Sequence, residues 1–169
     1  MQLDFITLID APIVLVPLRA RDGSVRAFAI IDEADSEWVN QWRWYLCKGY
    51  AIRAGWEHGR KQTIRLHRLL LGLTHGDGLE GDHLNRDRLD CRRANLRVTT
   101  TRGNSQNRSS HTGSTSKYRG VSWSRSNSKW KAEVTVNGKR TYLGHFISES
   151  EAAQIAREAR SRLLPYATD

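Results

Sequence analysis

Cysteine is scarce in this chain of 169 residues: Cys47 and Cys91 are the only two. Two thiols cannot build a disulfide scaffold, and neither sits in the CxxC pair that a zinc knuckle needs. A reducing cytosol fits, and any bound metal is not expected to be a thiolate-held structural zinc. Long apolar runs are missing too. The best candidate near the start, APIVLVPLRA from Ala11, falls well short of the ~20 residues that cross a bilayer. It follows Asp4 and Asp10 without a basic leader, so neither a secretory signal nor a membrane partner is expected. Acidic residues are in deficit as well, with 18 Asp and Glu against 27 Lys and Arg and a net charge of +9. That balance is the electrostatic footprint of a polyanion binder, and without a membrane segment the expected polyanion is nucleic acid.

The length suits one ordinary domain or two small ones, and the charge is unevenly spread. Residues 1–46 hold seven acidic against four basic side chains, whereas residues 108–145 hold eight basic against Glu133 alone. The polyanion surface is therefore expected in the second half, and the acidic first part is expected to buttress. In that first part PIVLVPL and VRAFAIID are strand-like runs joined by the turn-prone RDGS. Asp32 precedes EADSEWVNQW, whose acidic start suits a short helix. Trp38, Trp42 and Trp44 follow, a density that core packing explains better than base stacking. KGYAIRAG and KQTIRLHRLLLG read as further strands around a turn at Gly59. His67, in front of LLLGL, reads either as a structural histidine or as a neighbour of the site below.

Residues 104–117, NSQNRSSHTGSTSK, show no hydrophobic periodicity from Ser105 on and read as a linker. Beyond it YRGVSWS, KWKAEVTV and RTYLGHF are three strand candidates, and Asn137-Gly138 is a strong two-residue hairpin signal. SESEAAQIAREARSRLL is a helix, with Ser148 and Glu151 in capping-box positions. Ala152, Ile155, Ala156, Ala159 and Leu163 recur at helical spacing and are expected to face the sheet.

The chemistry is concentrated in residues 67–107. Asp82 and His83 are adjacent, Asn95 follows, and Asn104 lies nine residues beyond that. A carboxylate plus an asparagine carbonyl suits a hard divalent ion such as Mg²⁺, with water and substrate phosphate completing the shell. A neutral imidazole beside that carboxylate can take a proton from an attacking water. These are the parts of a metal-assisted phosphodiesterase. LHRLLLG, GDHLNRDRLDCRRANLRVTT and TRGNSQN together resemble the HNH (ββα-metal) endonucleases, specifically the phage and intron-encoded homing type, over about residues 63–107. The resemblance implies that Asp82 binds the metal, that His83 is the general base, and that Asn104 is the second metal ligand. It also implies that Asn95 fixes the loop rather than taking part in the chemistry. Gly103 departs from a good helix-forming pattern, which leaves Asn107 as the alternative ligand. Arg92, Arg93 and Arg97 are expected at phosphates. The ion is expected to be Mg²⁺, with Mn²⁺ as the alternative, and the substrate double-stranded DNA in a bacterial or phage-infected cytoplasm. One site per chain implies nicking by a monomer or a weak dimer, with no obligate protein partner.

YRGVSW, KWKAEV and RTYLGHF with the helix after them resemble the APETALA2-type DNA-binding domain (AP2/ERF) of plant ethylene-response factors. That resemblance implies a three-stranded sheet lying in the major groove, with Arg119, Glu133, Thr135, Arg140 and Tyr142 carried over as contacts. Arg125 and Lys131 join this basic surface, and Trp123 reads either as a DNA contact or, like Trp130, as packing. Ser122 and Ser124 stand where the plant pattern has further arginines. The expected architecture is α+β. Residues 1–62 form a β-rich supporting region, 63–107 a nuclease core, 108–116 a linker, and 117–169 a sheet-and-helix DNA-binding domain. The alternative function is a non-catalytic DNA-binding or regulatory protein that keeps the HNH fold as a clamp; an RNA-binding protein is a weaker one, since the aromatics form no RNA-stacking platform.

Overall fold

A computed structural model describes residues 12–57, 59–108, 110 and 113–168. Residues 1–11 of the expected supporting region, and Ser109, His111 and Thr112 of the expected linker, lie outside the described residues. The architecture is α+β, and the chain divides into two compact units, 1–100 and 101–169.

The first unit opens on a hairpin, β1 (Ile13–Arg19) and β2 (Val25–Asp32), antiparallel around the RDGS turn. Alternation sets its two faces. Val16, Leu18, Ala29 and Ile31 are almost fully buried, while Ile13, Leu15 and Phe28 point outward and stay about half exposed. After Asp32 the acidic segment makes a short 3-10 turn, Glu33–Asp35, and a single helical turn, α1 (Ser36–Val39). Of the three tryptophans only Trp44 is a core residue, at 1% exposure, its indole N–H donating to the Val39 carbonyl at 2.9 Å. Trp42 is exposed, set edge-on against Trp38.

Three antiparallel strands follow in the order β3 (Tyr45–Cys47), β4 (Tyr50–Glu57) and β5 (Arg60–Arg65). Gly59 turns the chain between the last two at φ +72°. A short helix, α2 (Leu66–Leu70), leads to a two-stranded sheet of β6 (Glu80–His83) and β7 (Leu96–Thr99). The hydrophobic core of this unit is continuous from Val16 through Trp44 and Leu66 to Cys91 and Leu96. Residues on both sides of the expected 62/63 division share this core. Ile30 of β2 donates to Leu89 and accepts from Cys91, both at 2.8 Å, so the N-terminal hairpin pairs directly with the loop after β6.

The second unit begins with α3 (Thr101–Gln106), so the expected boundary at 108–116 falls inside it. Arg119 explains why. Its guanidinium donates to the carbonyls of Ser105 at 3.2 Å and Arg108 at 2.9 Å, and also to that of Gln106, which supplies the end of α3 with donors its last turn lacks. Strands β8 (Val121–Ser124), β9 (Lys129–Val136) and β10 (Lys139–Phe146) form an antiparallel sheet in the order β10-β9-β8. Asn137 and Gly138 both take positive φ, +54° and +79°, as the hairpin signal requires. Gly120 also has positive φ, and a side chain there would meet the Glu133 carbonyl at 2.4 Å.

The long helix α4 (Glu149–Leu163) packs Ala152 and Ala156 on Val121 and Ala132. Ser148 is its N-cap, but the expected capping box does not form, because the Ser148 hydroxyl pairs with that of Ser150 at 2.6 Å. Leu163, expected to face the sheet, is 48% exposed; the helix ends there and Leu164, one residue on, takes the buried place.

The one-sided burial of β1 gives a direct check. Leu18→Ala, at a site with 0% exposure, should cost about 3 kcal/mol, whereas Leu15→Ala on the outer face should stay within about 0.5 kcal/mol. Urea unfolding of the two variants measures both.

Candidate active site

Antiparallel pairing sets the frame. Asp82 stands opposite Arg97 and His83 opposite Leu96, and both Asp82 and His83 are buried, at 6% and 5% exposure. Arg97 grips the Asp82 carboxylate through Nη2 at 2.6 Å and Nε at 2.9 Å. That pairing supplies the opposite charge a buried carboxylate needs.

His83 lies in an aromatic pocket. The His67 ring is 4.6 Å away edge-on, Tyr50 is 6.2 Å away, and the Cys91 sulfur is 3.9 Å from Nε2. Burial pulls the His83 pKa below its ordinary 6.5, and the nearby carboxylates of Asp82, Asp87 and Asp90 pull the other way without cancelling it. The imidazole is therefore neutral at neutral pH, the form that accepts a proton. His67 is pushed down to about 3, first by burial and then by His83, Arg65 and Arg68. Its ring packs edge-on against His83. Gly81 leaves room for it, since a side chain at Gly81 would meet His67 Cδ2 at 2.7 Å.

Asn95 ties the loop that follows His83. Its carbonyl oxygen accepts from the Asn85 backbone N–H at 2.9 Å, and its amide donates to Asn85 Oδ1 at 2.9 Å and to the Asp90 carbonyl at 2.8 Å. Asn85 in turn donates to Asp90 Oδ2 at 2.8 Å. Asp90 and Asn85 were not singled out from the sequence. Their signal is the N-x-D-x-x-D spacing of NRDRLD, in which each short polar side chain caps a backbone N–H two residues on.

The three arginines expected at phosphates each hold a carboxylate. Arg92 binds Asp90 through two nitrogens at 2.8 and 2.7 Å, Arg93 binds Asp35 at 2.9 and 2.7 Å, and Arg97 binds Asp82. Arg93 also takes the Leu70 carbonyl at 3.2 Å, and its backbone N–H goes to Asp32. It is a clasp between the N-terminal turn and β7's approach.

In the second unit Asn104 is half-buried on α3, and the buried Asn107 accepts a hydrogen bond from the Thr168 hydroxyl. On the β8-β9-β10 sheet, Lys131, Glu133, Thr135, Arg140 and Tyr142 share the face away from α4 by register, and Lys131 pairs with Glu133 at 3.0 Å. Arg125 is exposed in the β8-β9 turn. Two expected contacts differ. Trp123 pairs with Trp130 on the α4 side of the sheet, 5.2 Å ring to ring, and Arg119 is engaged at the end of α3.

Among the described residues no three His, Cys, Asp or Glu side chains cluster as a metal cage. The donor set still fits a hard ion, since Mg²⁺ is commonly held by one or two carboxylates with water and substrate phosphate. It does not fit a thiolate site: burial pushes the Cys91 thiol up to about 12, so it stays protonated.

Residues 65–106, which include His67, Asp82, His83, Asn95 and Asn104, match the model of an HNH endonuclease family. An uncharacterized HNH endonuclease of Acanthamoeba polyphaga mimivirus is 31% identical over 152 residues, covering 88% of this chain and 75% of that protein. The chain belongs to the HNH endonuclease family. It is a nuclease, a phosphodiester hydrolase acting on DNA. No solved structure matches it, and no helix among the described residues is long and apolar enough to cross a membrane.

Two consequences follow from the HNH site's packing. Because the His67 pKa lies below that of an unfolded histidine, the unfolded chain binds more protons, and stability present above pH 6.5 is lost as pH falls towards about 3. Urea unfolding should show that slope, at up to about 1.4 kcal/mol per pH unit, and His67→Phe should flatten it. Asn95→Ala should cost about 2 kcal/mol, since it leaves buried loop groups without partners; thermal unfolding reads it.

Proposed function

We propose that this HNH nuclease is a metal-dependent endonuclease of the homing type that nicks double-stranded DNA as a monomer and is targeted by its C-terminal sheet. The observation that carries the proposal is the buried Asp82-His83 pair at the end of β6, with a neutral imidazole and a loop fixed by Asn95. His83 takes the proton from the attacking water. Asp82 and Asn104 would hold the ion, Mg²⁺ or alternatively Mn²⁺, with Asn107, whose side-chain oxygen accepts from Thr168, as the alternative ligand. When bound, such an ion offsets the charge that develops on the phosphate and the leaving oxygen. Arg97 orients the Asp82 carboxylate.

The C-terminal unit has the three-stranded antiparallel sheet and single packed helix that an APETALA2-type domain needs. Lys131, Thr135, Arg140 and Tyr142, with Arg125 at the turn, contact the duplex, and Glu133 orders Lys131 and Arg140. Arg119 and Trp123 serve this surface from beneath, by anchoring α3 and packing on Trp130.

Wild-type protein with Mg²⁺ should convert supercoiled plasmid carrying its own insertion locus to open circles, and a chelator should stop it. His83→Ala should slow nicking at least about 100-fold while gel-shift affinity stays within about twofold. Parallel loss of both would make the histidine structural. Because burial lowers the His83 pKa, the acid limb of the pH-rate profile should lie below pH 6.5; a limb above it would point to another base.

A further inference from the structure

Among the described residues, the three-stranded sheet of the first unit leaves one face open. Directly paired residues share a face, so Tyr50, Ile52, Ala54 and Trp56 of β4 project on the same side as Arg65, Thr63 and Lys61 of β5. The opposite side carries Ala51, at 2% exposure in the core, and Arg53, whose guanidinium lies 4.3 Å over the Trp42 ring. On the open face Trp56 is 75% exposed, and Lys61 and Arg65 are exposed.

This face runs into the catalytic pocket. The Tyr50 ring lies 6.2 Å from that of His83, and two guanidiniums sit over it, Arg65 at 5.3 Å and Arg88 at 4.7 Å. Arg88 is held in place by donating to the Lys48 carbonyl at 3.1 Å. From Tyr45 to Arg65 the sequence has five Lys and Arg against Glu57 alone, so this segment reverses the acidic balance of residues 1–46.

We propose that the open face of β4 and β5 is a second DNA-binding surface, which lays the duplex backbone along the ribbon and delivers a phosphodiester to His83. The proposal rests on the nuclease reading above for the identity of the substrate. Arg65 and Arg88 take phosphates next to the cut, stiffened by their stacking on Tyr50. Lys61 takes a phosphate at the far end, and Trp56 covers apolar sugar surface beside it. The seven residues from Tyr50 to Trp56 span roughly 20 Å, which is about six phosphate steps of one DNA strand measured along the helix axis. A two-stranded ribbon also has the width a DNA major groove admits. The ribbon thus adds non-specific affinity at the cut, distinct from the C-terminal sheet.

The test uses the full chain with chelator present, binding to a short labelled duplex by fluorescence anisotropy across about 50–200 mM salt. Lys61→Gln with Arg65→Gln should weaken binding about tenfold and lower the slope of log affinity against log salt by about 2. Trp56→Ala should weaken it a few-fold with the slope unchanged. Arg21→Gln with Arg26→Gln, an equal charge loss on the exposed β1-β2 hairpin, should change neither the fold nor binding. If the Lys61/Arg65 variant binds with wild-type affinity and slope, the surface is not a DNA contact, whether or not wild type nicks. If the variant loses only binding to anionic lipid vesicles, the face belongs to a membrane and the proposal also fails. Conversely, weakened DNA binding in a protein that never nicks plasmid would retain this surface and remove the nuclease reading.

Discussion

Strand β6 ends in two buried ionisable side chains, Asp82 and His83, and the fold of the first unit is arranged so that both can be there. A carboxylate that deep needs a cation, and cross-strand pairing supplies Arg97. A histidine that deep is kept neutral by desolvation, and the stacked rings of His67 and Tyr50 make that environment. The chain must then leave β6 abruptly, and Asn95, Asn85 and Asp90 satisfy the turn's polar groups in a closed network.

The N-terminal hairpin is part of this arrangement and not a separate support. Its strand β2 bonds to residues 89 and 91, and Asp32 and Asp35 receive the backbone and side chain of Arg93. Two of the acidic residues in surplus in the first part of the sequence, Asp32 and Asp35, are therefore partners for one arginine of the nuclease motif, Arg93.

Legibility followed locality. The hairpins at RDGS, Gly59 and Asn137-Gly138 and the long helix α4 rest on short-range turn chemistry and periodicity, and the α+β class follows from them, whereas the loop-fixing role of Asn95 was implied by the family resemblance. What sequence could not give was pairing at a distance. Arg93 meets Asp35 across 58 residues, Arg119 turns back onto α3, and Tyr50 reaches His67 and His83 from another sheet. The Ser148 capping box failed for a smaller reason: Ser150 offered its hydroxyl a nearer partner. Trp123 was ambiguous because face assignment depends on register, which only the β8-β9 pairing fixes.

The central claim is that Asp82 and His83 act as one unit, the carboxylate holding an ion and the imidazole moving a proton. Asp82→Asn separates the charge from the shape. Manganese binding followed by electron paramagnetic resonance, alongside single-turnover nicking of the same samples, should show both lost together in this variant while the fold persists. Wild-type nicking by Asp82→Asn, or loss of nicking with manganese affinity unchanged, would contradict the account.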